Sequence, residues 1–249
     1  MNGPDQNGKE ELCGVFSTRK SMKIGTGATQ KRVQQSFNYL VRELEDGNIE
    51  IQPLGEDYVP LGNREVIDRE QLLADFMPEP ALWQEKVLPK MREIQKHLAR
   101  GDKYRKRGET FTAEYEYNKA LRLDERNVRA NFGIGLVYLE RGDAEKAHEV
   151  FERVVGIEAA FEDDHKHLFN EFGINLRKSG LFDDAVRYYR RALDLAASDE
   201  NLHYNLARAY YEKGDHSHAA RHLNACLAMN PQHAEAKSFL ASLQKRGLA

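Results

Sequence analysis

Three histidines and a cysteine gather late in the chain, and they are the residues whose types and spacing come nearest to chemistry: His216, His218, His222 and Cys226. His218, His222 and Cys226 recur every fourth residue, which on a helix places side chains on one face, as a pair of helix-borne metal ligands requires. A helix that turns one face to its neighbours shows the same spacing, so this row is read as packing and no metal or cofactor is assigned. His165 and His167, two apart, cannot share a helix face. A second candidate is Gly25-Thr26-Gly27-Ala28-Thr29-Gln30-Lys31, with Arg19, Lys20, Lys23 and Arg32 around it. A glycine-rich turn opening a helix offers backbone N–H groups to an anion. Yet Thr-Gln-Lys stands where a nucleotide loop needs Gly-Lys-Ser/Thr, and Gln30 where a dinucleotide loop needs glycine. A hinge is the simpler reading; docking of a small anion or a phosphorylated group through this region is the alternative. No Gly-x-Ser-x-Gly elbow or His-Glu-x-x-His occurs, and Asp163-Asp164 and Asp183-Asp184 fall where helices begin, so no catalytic residue is assigned and the chain is read as a non-enzyme.

The elements that would position such residues follow from a repeat. Tyr104, Gly108, Ala113, Tyr117 and Ala120 return as Tyr138, Gly142, Ala147, Phe151 and Val154, a period of 34. Leu176, Gly180, Ala185, Tyr189 and Ala192 make a third copy, displaced by 38, and Tyr210, Gly214, Ala219, Leu223 and Cys226 a fourth. The four extra residues belong near Glu162-Asp163-Asp164-His165. Small residues at one register of the first helix (Gly101, Gly135, Gly173, Ala207) and one of the second (Ala113, Ala147, Ala185, Ala219) imply antiparallel helices in close approach. Gly108, Gly142, Gly180 and Gly214 mark the reversals between them.

This pattern resembles the tetratricopeptide repeat family, over about residues 94 to 233. The resemblance implies an all-α protein: a right-handed α-solenoid of four helix pairs, residues 94–127, 128–161, 166–199 and 200–233, with a capping helix at 234–249. The family's first-helix tryptophan position holds His97, Asn131, Phe169 and His203 here. Residues 1–28 are expected to be a flexible tail, and 29–93 a mostly helical, partly irregular cap. Within that cap, Val33, Phe37, Leu40, Val41 and Leu44 predict an amphipathic helix ended by Asp46-Gly47. Ile49-Glu50-Ile51 predicts a short strand, and Leu72, Leu73 and Phe76 a short helix closing before Pro78; Pro89 should kink or start a further helix.

The resemblance also implies a function. First helices of successive repeats line a groove that takes a peptide segment, and the facing registers here bring Arg105, Arg129, Phe132, His167, Asn170, Arg177, Asn201, Tyr204, Arg208 and Tyr211. Arginine and tyrosine predominate, the residue types that carry most binding energy at interfaces. The lysine and asparagine clamp with which some members grip a chaperone's C-terminal carboxylate is absent, since those places hold Leu98, Asp102, Gly133, His167 and Glu171. The expected role is an adaptor or scaffold whose partner is a protein or peptide with an acidic or carboxyl-bearing segment; a self-associating scaffold is a further alternative. With 37 basic against 40 acidic residues the net charge of −3 gives no general attraction to nucleic acid, and the one basic stretch, Lys96 to Arg107, reads as a solvated helix face. No apolar run approaches a membrane span, and only two cysteines, Cys13 and Cys226, occur; a cytoplasmic setting is expected.

Overall fold

A computed structural model describes residues 12–24, 31–161, 165–195 and 199–248. The chain divides into two compact units, Met1–Lys96 and His97–Ala249.

The first unit is built on a sheet, and this corrects the expected helical cap. Strands β1 (Cys13–Ile24), β2 (Lys31–Glu43), β3 (Ile49–Pro53), β4 (Glu65–Ile67) and β5 (Met77–Pro78) form an antiparallel sheet in the order β4-β3-β2-β1-β5. β1 and β2 pair along a long hairpin, from Cys13 opposite Arg42 to Ile24 opposite Lys31. The tail expected over residues 1–28 is therefore strand from Cys13 to Ile24, while residues 1–11 and the Gly25–Gln30 run lie outside the described residues.

The helix expected over Val33–Leu44 is β2, and the reason lies in its second periodicity. Phe37, Tyr39 and Val41 alternate along one face of the strand and meet Ile49, Ile51 and Leu72 in a single cluster. Val41 and Ile49 are wholly buried there, and Tyr39 sets its ring edge-on to Phe76 at 5.4 Å. Leu40 and its cross-strand partner Val15 are buried on the opposite face. With both faces covered, the apolar positions lose strict alternation and imitate a helical spacing. Asp46-Gly47 does reverse the chain, but between strands: Gly47 takes a positive φ of 84° and Asp46 accepts the Asn48 N–H at 3.0 Å. The short strand expected at Ile49–Ile51 is β3, and the short helix is α1 (Arg69–Asp75), capped by Asp68 accepting from the Gln71 N–H at 2.7 Å.

From Pro80 the chain is helical: α2 (Pro80–Leu82), a π-helical turn over Trp83–Val87, then α3 (Leu88–Lys106). Pro89 has no N–H to give the Glu85 carbonyl, and the turn widens just before it, so that Leu88 donates to Trp83, five residues back.

The second unit is all helix among the described residues. Its helices after α3 are α4 (Thr110–Leu123), α5 (Val128–Arg141), α6 (Ala144–Val155), α7 (Lys166–Lys178), α8 (Phe182–Leu195), α9 (Glu200–Lys213), α10 (His216–Met229) and α11 (Ala234–Lys245). A 3-10 turn, Glu158–Phe161, precedes the junction where the extra residues fall; Glu162–Asp164 lie outside the described residues. Aspartates or asparagines cap α5, α6, α9 and α10, each accepting a first-turn N–H, and Gly142 and Gly214 close α5 and α9 in the left-handed conformation.

The glycines inside the first helices admit aromatic rings: a Cβ on Gly135 would come within 2.5 Å of the Phe172 ring of α7, and the others meet tyrosines of the second helices. A Cβ on Gly101 or Gly133 would come within 2.6 Å or 2.4 Å of the Tyr117 ring, and one on Gly173 within 2.6 Å of the Tyr189 hydroxyl. A second-helix tyrosine thus lies directly on first-helix backbone, and the repeated glycine is the shape that admits it. Tyr117, Phe151, Tyr188 and Tyr189 are all fully buried, and Phe169 stacks on Tyr188 at 4.7 Å.

Candidate functional site

The first helices α3, α5, α7, α9 and α11 share one face, recognisable from polar contacts that pass between them. Arg105 on α3 donates to Glu140 on α5 at 2.8 Å and to Glu171 on α7 at 2.9 Å. Arg129 on α5 pairs with Asp102 on α3, and Arg177 on α7 with Glu212 on α9. Arg246, just beyond α11, donates to the Tyr211 hydroxyl at 2.8 Å. Three of these contacts join residues 35 apart, one more than the repeat, so each links a register to the next position on the following first helix.

The expected groove residues divide into three kinds. Phe132 is core, wholly buried with its ring 5.6 Å from Phe172, and presents nothing to a ligand. Arg105, Arg129 and Arg177 face one another's helices, but their charge is already met by carboxylates; Arg177 is only 7% exposed. Burial pulls the Arg105 guanidinium down from its ordinary value, and the hydrogen bonds to Glu171 and Glu140 more than reverse this, leaving it raised. The remaining residues are open to solvent to differing degrees. His167 and Asn201 are exposed; Asn170, Tyr204, Arg208 and Tyr211 are half-buried.

These last residues bring the useful chemistry together on α9. Arg208 lies 5.9 Å from the centre of the Tyr204 ring, and among the described residues no carboxylate pairs with it. Tyr204 in turn rests against His233 at 4.9 Å, and Tyr211 stands edge-on to Phe239 of α11 at 5.2 Å. Among the described residues the patch therefore offers two guanidinium groups that no carboxylate neutralises, Arg208 and the Arg246 that donates to Tyr211, with two tyrosines and the Asn201 amide. Asn170 differs: its Oδ1 is buried and accepts nothing among the described residues.

The carboxylates Glu140, Glu171 and Glu212 were not among the expected site residues, though they decide which arginines are available. For Glu140 and Glu212 the signal is the offset of 35, at which Arg105 faces Glu140 and Arg177 faces Glu212; Glu171, 66 residues from Arg105, has no such signal.

The histidine and cysteine row does not assemble. His218 donates from Nδ1 to the Asp215 carboxylate (2.8 Å), His222 meets the Nδ1 of His203 at 3.0 Å, and Cys226 is buried. Among the described residues no three His, Cys, Asp or Glu side chains are arranged to hold a metal. Asp183 pairs with Lys213 at 2.5 Å and Asp184 with His148 at 2.8 Å, structural contacts between neighbouring helices. Among the described residues no helix is long and apolar enough to cross a membrane.

Comparison with known proteins agrees with the repeat. Tetratricopeptide repeat profiles match residues 176–243 and 128–161, and a TPR repeat profile matches 101–142. A TPR repeat-containing protein of Methanocaldococcus jannaschii is 28% identical over 159 residues, 61% of this chain and 28% of its own length. Tetratricopeptide repeat protein 14 of Mus musculus is 36% identical over 98 residues, covering 38% of this chain and 13% of its own. The peroxisomal targeting signal receptor of Eremothecium gossypii is 26% identical over 108 residues, covering 43% and 18%. The chain thus spans less than a third of the length of these relatives. Among solved structures, one of MamA is 22% identical over 63% of this chain and 84% of its own, with a TM-score of 0.47. Repeats of this kind are typically interaction scaffolds rather than enzymes. Through its helices from α3 onward, the chain belongs to the tetratricopeptide repeat family.

Proposed function

We propose that the helical unit is a non-enzymatic adaptor of four repeats and a capping helix, and that it holds a segment of a partner protein along its first-helix face. The partner segment carries a carboxylate, which Arg208 receives. The single observation behind this is the contrast among the arginines of that face: Arg105, Arg129 and Arg177 are neutralised within the chain, while among the described residues Arg208 has no carboxylate and Arg246 has only the Tyr211 hydroxyl. A cation left beside Tyr204 and Tyr211 has the composition of an interface hot spot, with large rigid contact area next to a charge. The relative named for receiving a peroxisomal targeting signal supports recognition of a segment of another protein as the kind of activity.

The test is capture of partners on the intact protein and on Tyr204→Ala and Arg208→Ala variants, with folding checked by circular dichroism. A captured protein is then reduced to its binding peptide and titrated. Each variant should cost about 2 kcal/mol, close to a 30-fold loss of affinity. Arg129→Ala, whose charge is already spent on Asp102, should change affinity by less than about threefold. Partners retained equally by both α9 variants would remove this face as the site.

A further inference from the structure

A cavity of about 490 Å³ opens between α8, α9 and α10, away from the first-helix face. Its charged lining is one-sided. Arg190 comes from α8, Arg221 from α10, and three imidazoles, His203, His218 and His222, from α9 and α10; Asp194 is the one carboxylate among the described lining residues. Arg187, three residues before Arg190 on α8, is by contrast answered by Glu152 of α6. Arg190 and Arg221 are exposed and, among the described residues, neither is paired with a carboxylate within ion-pair distance.

The imidazoles are held in place rather than loose. Tyr210 stacks on His222 at 5.5 Å, the ring planes nearly parallel at 8°, and on His218 at 5.0 Å. His203 and His222 share one hydrogen bond between their Nδ1 atoms, 3.0 Å apart. That bond fixes a proton arrangement: the ring that accepts at Nδ1 must, when neutral, carry its hydrogen on Nε2, so the pair always keeps one Nε2–H donor. It can take up one further proton, on the other ring's Nε2, with the bond intact. Burial first, and then the charges of His203, Arg221, His218 and Arg190, push His222 down to about 4. Asp194 in the lining, Asp199 acting on His203, and Asp215, which accepts from His218 at 2.8 Å, are the opposing charges.

We propose that this cavity binds a phosphate monoester: a phosphoryl group between Arg190 and Arg221 with the His203–His222 pair as additional donor, and its organic body against Leu193, Leu206 and Tyr210. Two guanidinium forks suit a group of charge near −2 with three acceptor oxygens better than they suit a single carboxylate. The volume exceeds what bare phosphate fills and lies in the range of small-molecule sites. The positive lining speaks against a metal ion at the same histidines. This site is independent of the adaptor face, and neither reading depends on the other.

The test uses the full chain and histidine side-chain NMR at constant ionic strength and neutral pH, with inorganic phosphate, phenyl phosphate and a phosphotyrosyl peptide as probes, and phenol and the unphosphorylated peptide as controls. Phenyl phosphate should shift His203, His218 and His222 saturably and raise the His222 pKa, binding more tightly than inorganic phosphate. The doubly substituted Arg190→Gln, Arg221→Gln protein, altered only at exposed positions, should bind about tenfold or more weakly with the repeat fold intact by circular dichroism. A peptide tighter than phenyl phosphate assigns the monoester to a partner chain, and a weaker one to a small molecule; both support the site. Shifts that fail to saturate, equal binding of inorganic phosphate and phenyl phosphate, or undiminished binding by the double variant would overturn the proposal.

Discussion

Arg105 and Glu171 stand 66 residues apart in sequence and 2.9 Å apart in the fold. The contact skips a repeat, passing from α3 to α7, and on the way the same guanidinium engages Glu140 of α5. One side chain thus ties three successive first helices, where most repeat contacts join only nearest neighbours.

Arg105→Ala is expected to lower the unfolding free energy by about 1–2 kcal/mol, the carboxylates being open enough to rehydrate in part. Glu171→Gln should cost less, since Glu140 stays in place. A double-mutant cycle between Arg105 and Glu171 in urea unfolding should show coupling of about 0.5–1.5 kcal/mol that shrinks in high salt. Strict additivity would mean the two side chains do not cooperate.

The tyrosine-on-glycine packing makes a paired prediction. Gly173→Ala gains helix propensity of about 1 kcal/mol but drives a methyl into Tyr189, so the net effect is destabilisation of about 1–2 kcal/mol. Tyr189 has a buried hydroxyl that accepts or donates nothing among the described residues, and Tyr189→Phe should be neutral or stabilise by up to about 1 kcal/mol. Tyr117 occupies the matching register but donates to Asp102 at 2.7 Å, so Tyr117→Phe should cost about 1 kcal/mol. Equal effects of the two Tyr→Phe changes, measured by denaturant midpoints, would contradict this account.

What could be read from the sequence was whatever repeats. Gly142, Gly180 and Gly214 punctuate helices where the period put them, because a reversal at fixed spacing needs the same backbone each time. Arg177 and Phe132 matched groove registers, yet register says nothing of burial or of the partner 35 residues on; that depends on how consecutive first helices are staggered. The hairpin had no second copy to expose it. Val33, Phe37, Leu40, Val41 and Leu44 fit a helix as well as a strand covered on both faces, and the deciding contact, Val41 with Ile49 and Leu72, is made at a distance in sequence.

That ambiguity gives its own experiment. In a strand Val41 and Arg42 point to opposite sides; in a helix they would sit nearly side by side. Val41→Thr places a hydroxyl in a wholly buried position and should cost about 1–3 kcal/mol, while Arg42→Thr, at a position about half exposed, should stay within about 0.5 kcal/mol. Comparable losses at both positions would argue against the register of β2 on β1 and β3.

The histidine pair sets a pH dependence whose sign can be worked out. Folding holds His222 near 4, below the value of about 6.5 it has when unfolded, and burial lowers His203 as well. Between these values the unfolded chain binds protons that the folded chain refuses, so stability falls as the pH drops from about 6.5 toward 4. For a half-buried ring the effect discounts to about 1–3 kcal/mol. His148 acts in the opposite sense: its hydrogen bond to Asp184 raises it, and the stability it brings is present at low pH and lost as the pH rises through its folded value. The lowered carboxylates Glu152 and Asp199 lose their contribution at acid pH too, so the wild-type curve alone does not isolate the histidines. Subtraction does. His222→Gln, compared with wild type by urea unfolding at intervals from pH 7 to pH 4.5, should show a shallower decline, with the difference growing as the pH falls. Parallel curves would mean that folding leaves the His222 imidazole unperturbed.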